Sequence, residues 1–277
     1  MRSLIMTLFA LLALGYVGVC AFLYANQDRL LFFPHIASEA ELVLAGNAEG
    51  YIPWLNAHGE CIGWQSRTGD ATDPALLVCH GNGAQALAPN YHLLREFPAA
   101  GGRFKVYLLE YPGYGMRPGK PSSRSLTAAV LDAMDSIPPS HERIVLLGQS
   151  LGTGVVCVAA AARSERVSGM VLVTPYDSLR AGAQFHYPWL PIDLLLRHHF
   201  DSDRNLAHYH GPVAFLVAGK DGTVPPQLGE KLYAGYDGPK RLWLSPDAGH
   251  NDLGVLLADW PGIMKWLASA QLQPAIR

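Results

Sequence analysis

The three residue types needed for nucleophilic catalysis occur along this chain in a recognisable order. Ser150 lies within Gly-Gln-Ser-Leu-Gly, and Asp221 and His250 follow it in that order. A serine hydroxyl is a poor nucleophile unless a base accepts its proton, and an imidazole base needs a carboxylate to orient it. A G-x-S-x-G pattern followed by an acid and then a histidine predicts acyl transfer, with Ser150 as nucleophile, Asp221 as acid and His250 as base.

A second carboxylate competes with Asp221 for the orienting role. Asp221 lies in Gly-Lys-Asp-Gly-Thr-Val-Pro and Asp177 in Thr-Pro-Tyr-Asp, and an apolar run precedes each of them. The order along the chain and the position past the later run favour Asp221. Its structural alternative is a carboxylate that caps a turn, and Asp177 remains the alternative acid.

Two backbone N–H groups are needed to stabilise the oxyanion of a tetrahedral intermediate. The first is expected from Leu151, directly after the nucleophile. The second is expected from the loop His-Gly-Asn-Gly that begins at His80, and we assign it to the N–H of Asn82. His80 itself is expected to brace that loop rather than to carry protons.

Short apolar runs alternate with helix-sized segments along most of the chain. Runs rich in Val and Leu that end in turn residues are typical of strands buried on both faces of a parallel sheet. They cover 75–80, 104–110, 143–148, 169–174, 212–219 and 241–245, with an edge-strand candidate at 60–67. The helical segments cover 122–137, 151–163, 227–236 and 253–269. This alternation predicts a doubly wound, mostly parallel α/β sheet, whose ligands bind beyond the carboxyl ends of the strands.

An uncharged apolar segment begins the chain. No charged residue lies between Arg2 and Asp28, and residues 4–24 are long enough as a helix to cross a hydrocarbon core of about 30 Å. A cleaved signal peptide usually has a shorter apolar region, of about 7–15 residues, and the residues before Cys20 are a poor context for lipid attachment. The sequence therefore predicts a transmembrane anchor over 1–27. Arg2 and the free amine before it favour a catalytic domain on the extracytoplasmic side.

The remaining 28–277 segment is predicted to form one catalytic domain with a short lid. Charged residues make up 16% of the 277 residues, against about 25% in an average soluble protein, and this low share argues against intrinsic disorder. A formal net charge of −2 argues against a nucleic-acid partner. Four cysteines give no disulfide framework, and Cys79 and Cys157 lie in apolar runs typical of buried thiols. The lid is expected at 178–211, where apolar residues around Trp189 suit an acyl or aromatic group.

With these motifs in order, the sequence resembles the α/β-hydrolase superfamily. Within it, the chain is similar to the membrane-anchored serine hydrolases related to the bud-emergence and depalmitoylase-like proteins. The resemblance covers nearly the whole chain and rests on Ser150 with the motifs QDRLLFFP at 27–34, HGN at 80–82, YPGYG at 111–115, DGTVPP at 221–226 and GHND at 249–252. It implies hydrolysis of an ester, thioester or amide in a small-molecule acyl substrate, without a cofactor or a metal.

Alternatives from other classes account for less of the sequence. Residues 81–86 read Gly-Asn-Gly-Ala-Gln-Ala and Glu110 ends the next run, which mimics the fingerprint of a dinucleotide-dependent oxidoreductase. That interpretation leaves the serine, aspartate and histidine motifs unexplained. The histidines and aspartates at 198–210 include no H-E-x-x-H, so a solvated group at the lid edge is favoured over a metal site. A non-catalytic binding protein of this fold would usually lack one of the three catalytic residues.

Overall fold

An eight-stranded sheet forms the centre of the molecule. The computed structural model describes residues 1–70, 72–92, 94, 98–99, 102–141 and 144–271. The strands are β1 Tyr51–Leu55, β2 Cys61–Ser66, β3 Ala75–Cys79, β4 Pro98–Ala99, β5 Gly102–Arg103, β6 Lys105–Leu109, β7 Ile144–Gln149, β8 Val167–Val173, β9 Val213–Ala218 and β10 Lys240–Ser245. Strands β4 and β5 form a separate short hairpin.

The order of the strands in the main sheet is β1-β2-β6-β3-β7-β8-β9-β10. The six strands from β6 to β10 in this order are mutually parallel, and β2 is antiparallel to both of its neighbours. The mostly parallel α/β sheet predicted from the alternation of apolar runs is thereby confirmed.

Helices cover both faces of this sheet. The α-helices of the described residues are α1 Arg2–Leu31, α2 Glu39–Ala48, α3 Pro89–His92, α4 Ser123–Ser136, α5 Leu151–Ala162, α6 Leu179–His186, α7 Ile192–Leu195, α8 Ser202–Leu206, α9 Pro226–Gly235, α10 Leu253–Leu256 and α11 Trp260–Ala270. In β3, Leu77 packs in a core with α4, α5 and α9, whereas Leu76 packs in a second core with α2 and α11. Because successive side chains of a strand point to opposite faces, the continuous apolar runs need helices on both sides.

The chain changes direction across the sheet at β3. Strand β6 lies on one side of β3 and β7 lies on the other, so the connections that leave β3 and β7 run to opposite faces. Such a switch point opens a crevice beyond the carboxyl ends of the two strands. The loop after β3 and the turn after β7 meet there.

Two predicted elements differ from those observed. The strand at 60–67 is not the edge, because β1 pairs outside it; β1 contains Pro53, which an outermost strand tolerates because one side of it needs no ladder donor. The helix predicted over 253–269 is two helices, because Pro261 occupies the first turn of α11 and starts a new helix. Arg143, the predicted first residue of β7, lies outside the described residues.

Helix α1 is apolar, exposed, and long enough to cross a membrane. None of the 18-residue apolar window that marks it as a candidate span is buried inside the protein. The helix runs on to Leu31, past the boundary predicted at 27, and Phe32 directly after it belongs to the buried core. Helix α1 is therefore followed directly by a residue of the buried core.

Candidate active site

Ser150 lies in a sharp turn between β7 and α5. Its φ of 52° and ψ of −117° are unfavourable for a residue with a side chain, and its N–H donates to the carbonyl oxygen of Val173 at 2.9 Å. A Cβ at Gly148 would lie 2.5 Å from the carbonyl oxygen of Gly152, and one at Gly152 would collide with the carbonyl of Cys79. The two glycines of the motif are therefore required by close backbone contacts, and the turn holds the serine in a strained conformation.

Ser150, His250 and Asp221 form a continuous hydrogen-bonded chain. Ser150 Oγ lies 3.0 Å from His250 Nε2, and His250 Nδ1 lies 2.7 Å from Asp221 Oδ2. The second oxygen of Asp221, Oδ1, accepts hydrogen bonds from the N–H groups of Thr223 and Val224, each at 2.8 Å. These two donors fix the plane of a nearly buried carboxylate, and Oδ2 is left to face the imidazole.

Asp177, the alternative acid, bonds to different groups. It follows β8 and is 3% exposed. Its Oδ1 accepts a hydrogen bond from the N–H of Ser178 at 2.8 Å, and its Oδ2 forms an ion pair with Lys231 Nζ at 2.6 Å. The imidazole of His250 is bonded to Asp221 instead, so the geometry favours Asp221 as the orienting acid.

The loop after β3 packs against the turn that carries Ser150. A Cβ built on Gly81 would lie 3.6 Å from Ser150 Cβ, and Asn82, Ser150 and Leu151 line the same cavity. Leu151 is the first residue of α5, where the backbone N–H groups have no partner within the helix. The two residues predicted to supply oxyanion donors are thus both adjacent to the serine.

A buried acid holds the ends of this loop. His80 is 1% exposed; its Nδ1 lies 2.8 Å from the carbonyl oxygen of Gly81 and its Nε2 lies 3.2 Å from Glu110 Oε1. The N–H of Ala86 donates to the carboxylate of Glu110 at 3.2 Å. Glu110, at the end of β6, thus has a structural role in this loop. The dinucleotide interpretation would instead have its carboxylate bind the ribose of the cofactor.

The sequence interpretation missed a tyrosine that joins this loop to the serine turn. The hydroxyl of Tyr91 accepts a hydrogen bond from the N–H of Gly81 at 3.1 Å and donates to Gln149 Oε1. Burial raises the pKa of Tyr91 well above its usual value, so the hydroxyl keeps its proton and remains a donor at neutral pH. No local pattern marks this residue, since only the tertiary structure brings it next to Gln149.

The side chain of Asn82 joins the same loop to the end of α1. Its Nδ2 donates to the carbonyl oxygen of Leu31 at 2.7 Å. Its Oδ1 accepts hydrogen bonds from the N–H of Phe33 at 2.9 Å and the hydroxyl of Tyr114 at 2.7 Å. The sequence assigned Asn82 a role only through its backbone, although the QDRLLFFP motif had singled out the segment that its side chain binds.

A cavity of about 480 Å³ opens above Ser150, which is a size typical of small-molecule sites. Its walls are mostly apolar and come from α6, from residues 30–33 and from the loop around Val224. Phe185, Tyr187 and Trp189 of the predicted lid are more than half exposed near this site. Among the described residues, no group of three or more His, Cys, Asp or Glu side chains is arranged to hold a metal ion.

The fold and the site agree with one protein family. A family model described as the alpha/beta hydrolase fold matches residues 74–194. An uncharacterized protein of Mycobacterium tuberculosis is 34% identical over 256 residues, which cover 89% of this chain and 88% of that protein. This chain belongs to the α/β-hydrolase superfamily.

Some relatives and structural neighbours carry a named activity. Lysophosphatidylserine lipase ABHD12 of Danio rerio is 28% identical over 199 residues, 65% of this chain, and the match spans 52% of that protein. The Pyrococcus furiosus esterase Pf2001 has a TM-score of 0.57 at 17% identity, over 79% of this chain and 89% of that one. Est1E from Butyrivibrio proteoclasticus has a TM-score of 0.59 at 14% identity, over 79% and 99%. At these identities the two structures show the fold alone, and the family and its relatives together support a hydrolase.

Proposed function

We propose that this protein is a serine hydrolase that cleaves an ester, thioester or amide acyl bond. The observation that carries the proposal is the hydrogen-bonded chain from the carboxylate of Asp221 through the imidazole of His250 to the hydroxyl of Ser150. The strained turn that exposes this hydroxyl to a cavity supports the same reading. Each member of the chain has the partner that its role requires.

Acylation begins with attack of Ser150 Oγ on the carbonyl carbon of the substrate, while Nε2 of His250 accepts the hydroxyl proton. Asp221 stabilises the imidazolium through Nδ1–H. The electron pair of the carbonyl moves onto its oxygen, and we assign the binding of this oxyanion to the N–H groups of Asn82 and Leu151. When this intermediate collapses, the bond to the leaving group breaks, His250 returns the proton to that group, and Ser150 is left acylated.

Deacylation repeats these steps with water. Water attacks the acyl carbon while Nε2 of His250 accepts one of its protons. The second tetrahedral intermediate collapses, the acid product leaves, and the proton returns to Ser150 Oγ. The reaction consumes one water, and the enzyme returns to its starting state.

The apolar walls of the cavity favour an acyl chain as the part of the substrate held beside Ser150. Leu179, Val224 and Leu228 contribute to these walls and offer burial rather than hydrogen bonds. The lysophosphatidylserine lipases among the relatives hydrolyse a lipid by name, although this chain matches only about half of their length. We therefore place lipid-like acyl esters ahead of small polar esters.

Labelling with a fluorophosphonate probe tests the nucleophile. We expect wild-type protein to be labelled and Ser150→Ala to be unlabelled, with hydrolysis reduced by about 10⁴–10⁶-fold because the catalytic residues act as a unit. Ser178→Ala is the matched control, since Ser178 lines the same cavity outside the hydrogen-bonded chain. Equal labelling of wild type and Ser150→Ala would rule out Ser150 as the nucleophile.

The segment 1–27 is proposed to anchor residues 28–277 in a membrane, with the catalytic domain on the extracytoplasmic side. Helix α1 is long and apolar enough to span a bilayer, and its apolar window is unburied. Arg2 precedes the apolar segment, whereas Asp28 and Arg29 after it nearly cancel, which favours a cytoplasmic N-terminus.

Membrane fractionation with mass spectrometry tests the anchor. We expect the intact chain to stay with membranes after an alkaline carbonate wash, because carbonate releases peripheral proteins and leaves a spanning helix in place. A protease added to sealed cells should then remove the catalytic domain if this domain lies on the outer side of the membrane. Recovery of a soluble form that lacks about 25 N-terminal residues would indicate a cleaved signal peptide instead.

A further inference from the structure

The end of the membrane helix forms part of the cavity above Ser150. Leu30, Leu31, Phe32 and Phe33 line this cavity together with residues of α6. Leu30 is 44% exposed and Phe33 is 56% exposed, so this wall continues from the cavity to the outer surface. A segment that served only as a tether would not need to line the cavity beside Ser150.

Hydrogen bonds and ion pairs also hold the helix end against the lid. The buried amide of Gln27 donates to the carbonyl oxygen of Leu195 at 2.5 Å and accepts from the N–H of Arg197 at 2.8 Å. Asp28 Oδ1 lies 2.8 Å from His198 Nε2 and 3.1 Å from a guanidinium nitrogen of Arg197. Together with the Asn82 amide, which donates to Leu31, these contacts join the end of α1 to the predicted lid and to the loop after β3. The last turn of α1 is therefore a fixed wall.

The lid lies beside the apolar part of α1. The hydroxyl of Tyr16 donates to the carbonyl oxygen of Trp189 at 2.8 Å, and the two rings are 6.4 Å apart. Tyr16 precedes Tyr24, the end of the uncharged apolar segment, by two helical turns, or about 12 Å at 1.5 Å per residue. A bilayer that surrounds residues 4–24 would therefore also reach Trp189, which follows the cavity-lining residue Tyr187 by two positions.

We infer that residues 30–33 bind the acyl chain of a substrate drawn from the bilayer and set the chain length that the enzyme accepts. This inference rests on the proposed serine hydrolase function. The scissile carbonyl has to reach Ser150, and an alkyl chain attached to it then lies between the end of α1 and α6. These walls present apolar side chains, which discriminate between acyl chains by the number of methylene groups that they bury. The ligand class is therefore a fatty-acyl ester, and Leu30, a partly exposed residue of this wall, is a specificity-determining residue.

A chain-length series on the full-length protein in detergent micelles tests this inference. The substrates are p-nitrophenyl esters of acetate, octanoate and laurate, and the readout is the ratio of kcat/KM for laurate to that for acetate. Leu30→Trp narrows the cavity and should lower this ratio about tenfold, the effect of excluding about two methylene groups from an apolar site. Leu30→Ala widens the cavity and should raise the ratio. Leu12→Trp places the same substitution on an exposed part of α1 outside the cavity and should leave the ratio unchanged.

The two possible failures are distinguishable. Labelling of every variant by the fluorophosphonate probe reports an intact serine site, so a change in the ratio is not due to misfolding. If wild type is labelled and hydrolyses the esters but neither Leu30 variant changes the ratio, the acyl wall is wrong and the hydrolase stands. If wild type is not labelled and hydrolyses none of the esters, the proposed function fails and this inference fails with it.

Discussion

Asp177 and Asp221 follow the neighbouring strands β8 and β9, and both side chains are nearly buried. Asp221 accepts hydrogen bonds from two backbone N–H groups and faces the imidazole of His250. Asp177 accepts one backbone hydrogen bond, pairs with Lys231, and lines a second cavity of about 380 Å³. Burial at the end of a strand is therefore not enough to define a catalytic acid. The partner of the carboxylate decides the role.

The order of the strands explains why the two partners differ. Strand β10 pairs with β9, and His250 lies in the loop after β10, so the loop that carries Asp221 is its neighbour. Strand β8 is separated from β10 by β9. Asp177 instead meets α9, which carries Lys231. Substitutions at the two acids should therefore have clearly different consequences.

Asp221→Asn should cause the larger loss of activity. An amide has nearly the volume of the carboxylate but holds the imidazole in the wrong tautomer, so we expect kcat to fall by about 10⁴ with little change in the melting temperature. Steady-state kinetics on a soluble ester and a circular dichroism melt measure the two quantities. A loss of less than tenfold would contradict the assignment of Asp221 as the acid.

Asp177→Asn should affect folding more than catalysis. We expect kcat to stay within about threefold of wild type, because this carboxylate bonds to Ser178 and Lys231 rather than to the proposed catalytic histidine. The free energy of unfolding should fall by about 1 kcal/mol, the usual net contribution of one hydrogen bond. The same assays apply to this variant. The opposite ranking of the two aspartates would move the acid to Asp177.

The ion pair of Asp177 with Lys231 should show the smallest effect. The Lys231 side chain is 71% exposed, so water screens its charge even though Asp177 is buried. A double-mutant cycle with Asp177→Asn and Lys231→Met should give a coupling energy of about 0.5–1 kcal/mol in urea unfolding. A coupling energy of several kcal/mol would show that the ion pair stabilises the fold near β8. Asp177 and Asp221 would then differ in their contributions to stability as well as to catalysis.

Most of the sheet could be predicted from sequence because its strands are buried on both faces. The run that became β3, from Ala75 to Cys79, is apolar at every position, and all five residues are buried. The outermost strand β1 was missed because Pro53 interrupts its pattern. The apolar pattern at 253–269 predicts one helix, whereas Pro261 lies in the first turn of a second helix. Both errors occur at a proline. Pro53 lies in the outermost strand and Pro261 at the start of a helix, and only the neighbouring elements define these two positions.

The candidate site divides in the same way. Three features can be predicted from the chain alone: the G-x-S-x-G turn, the apolar helix at the N-terminus, and the order of Ser150, Asp221 and His250. Each of them depends on residues that are close together in the sequence or on the order of the residues along it. Only the tertiary structure shows which groups the two aspartates contact, that the Asn82 amide binds the end of α1, and that residues 30–33 line the cavity. Each of these depends on contacts between segments far apart in the chain, and strand order and helix packing, rather than local residue patterns, decide which segments meet.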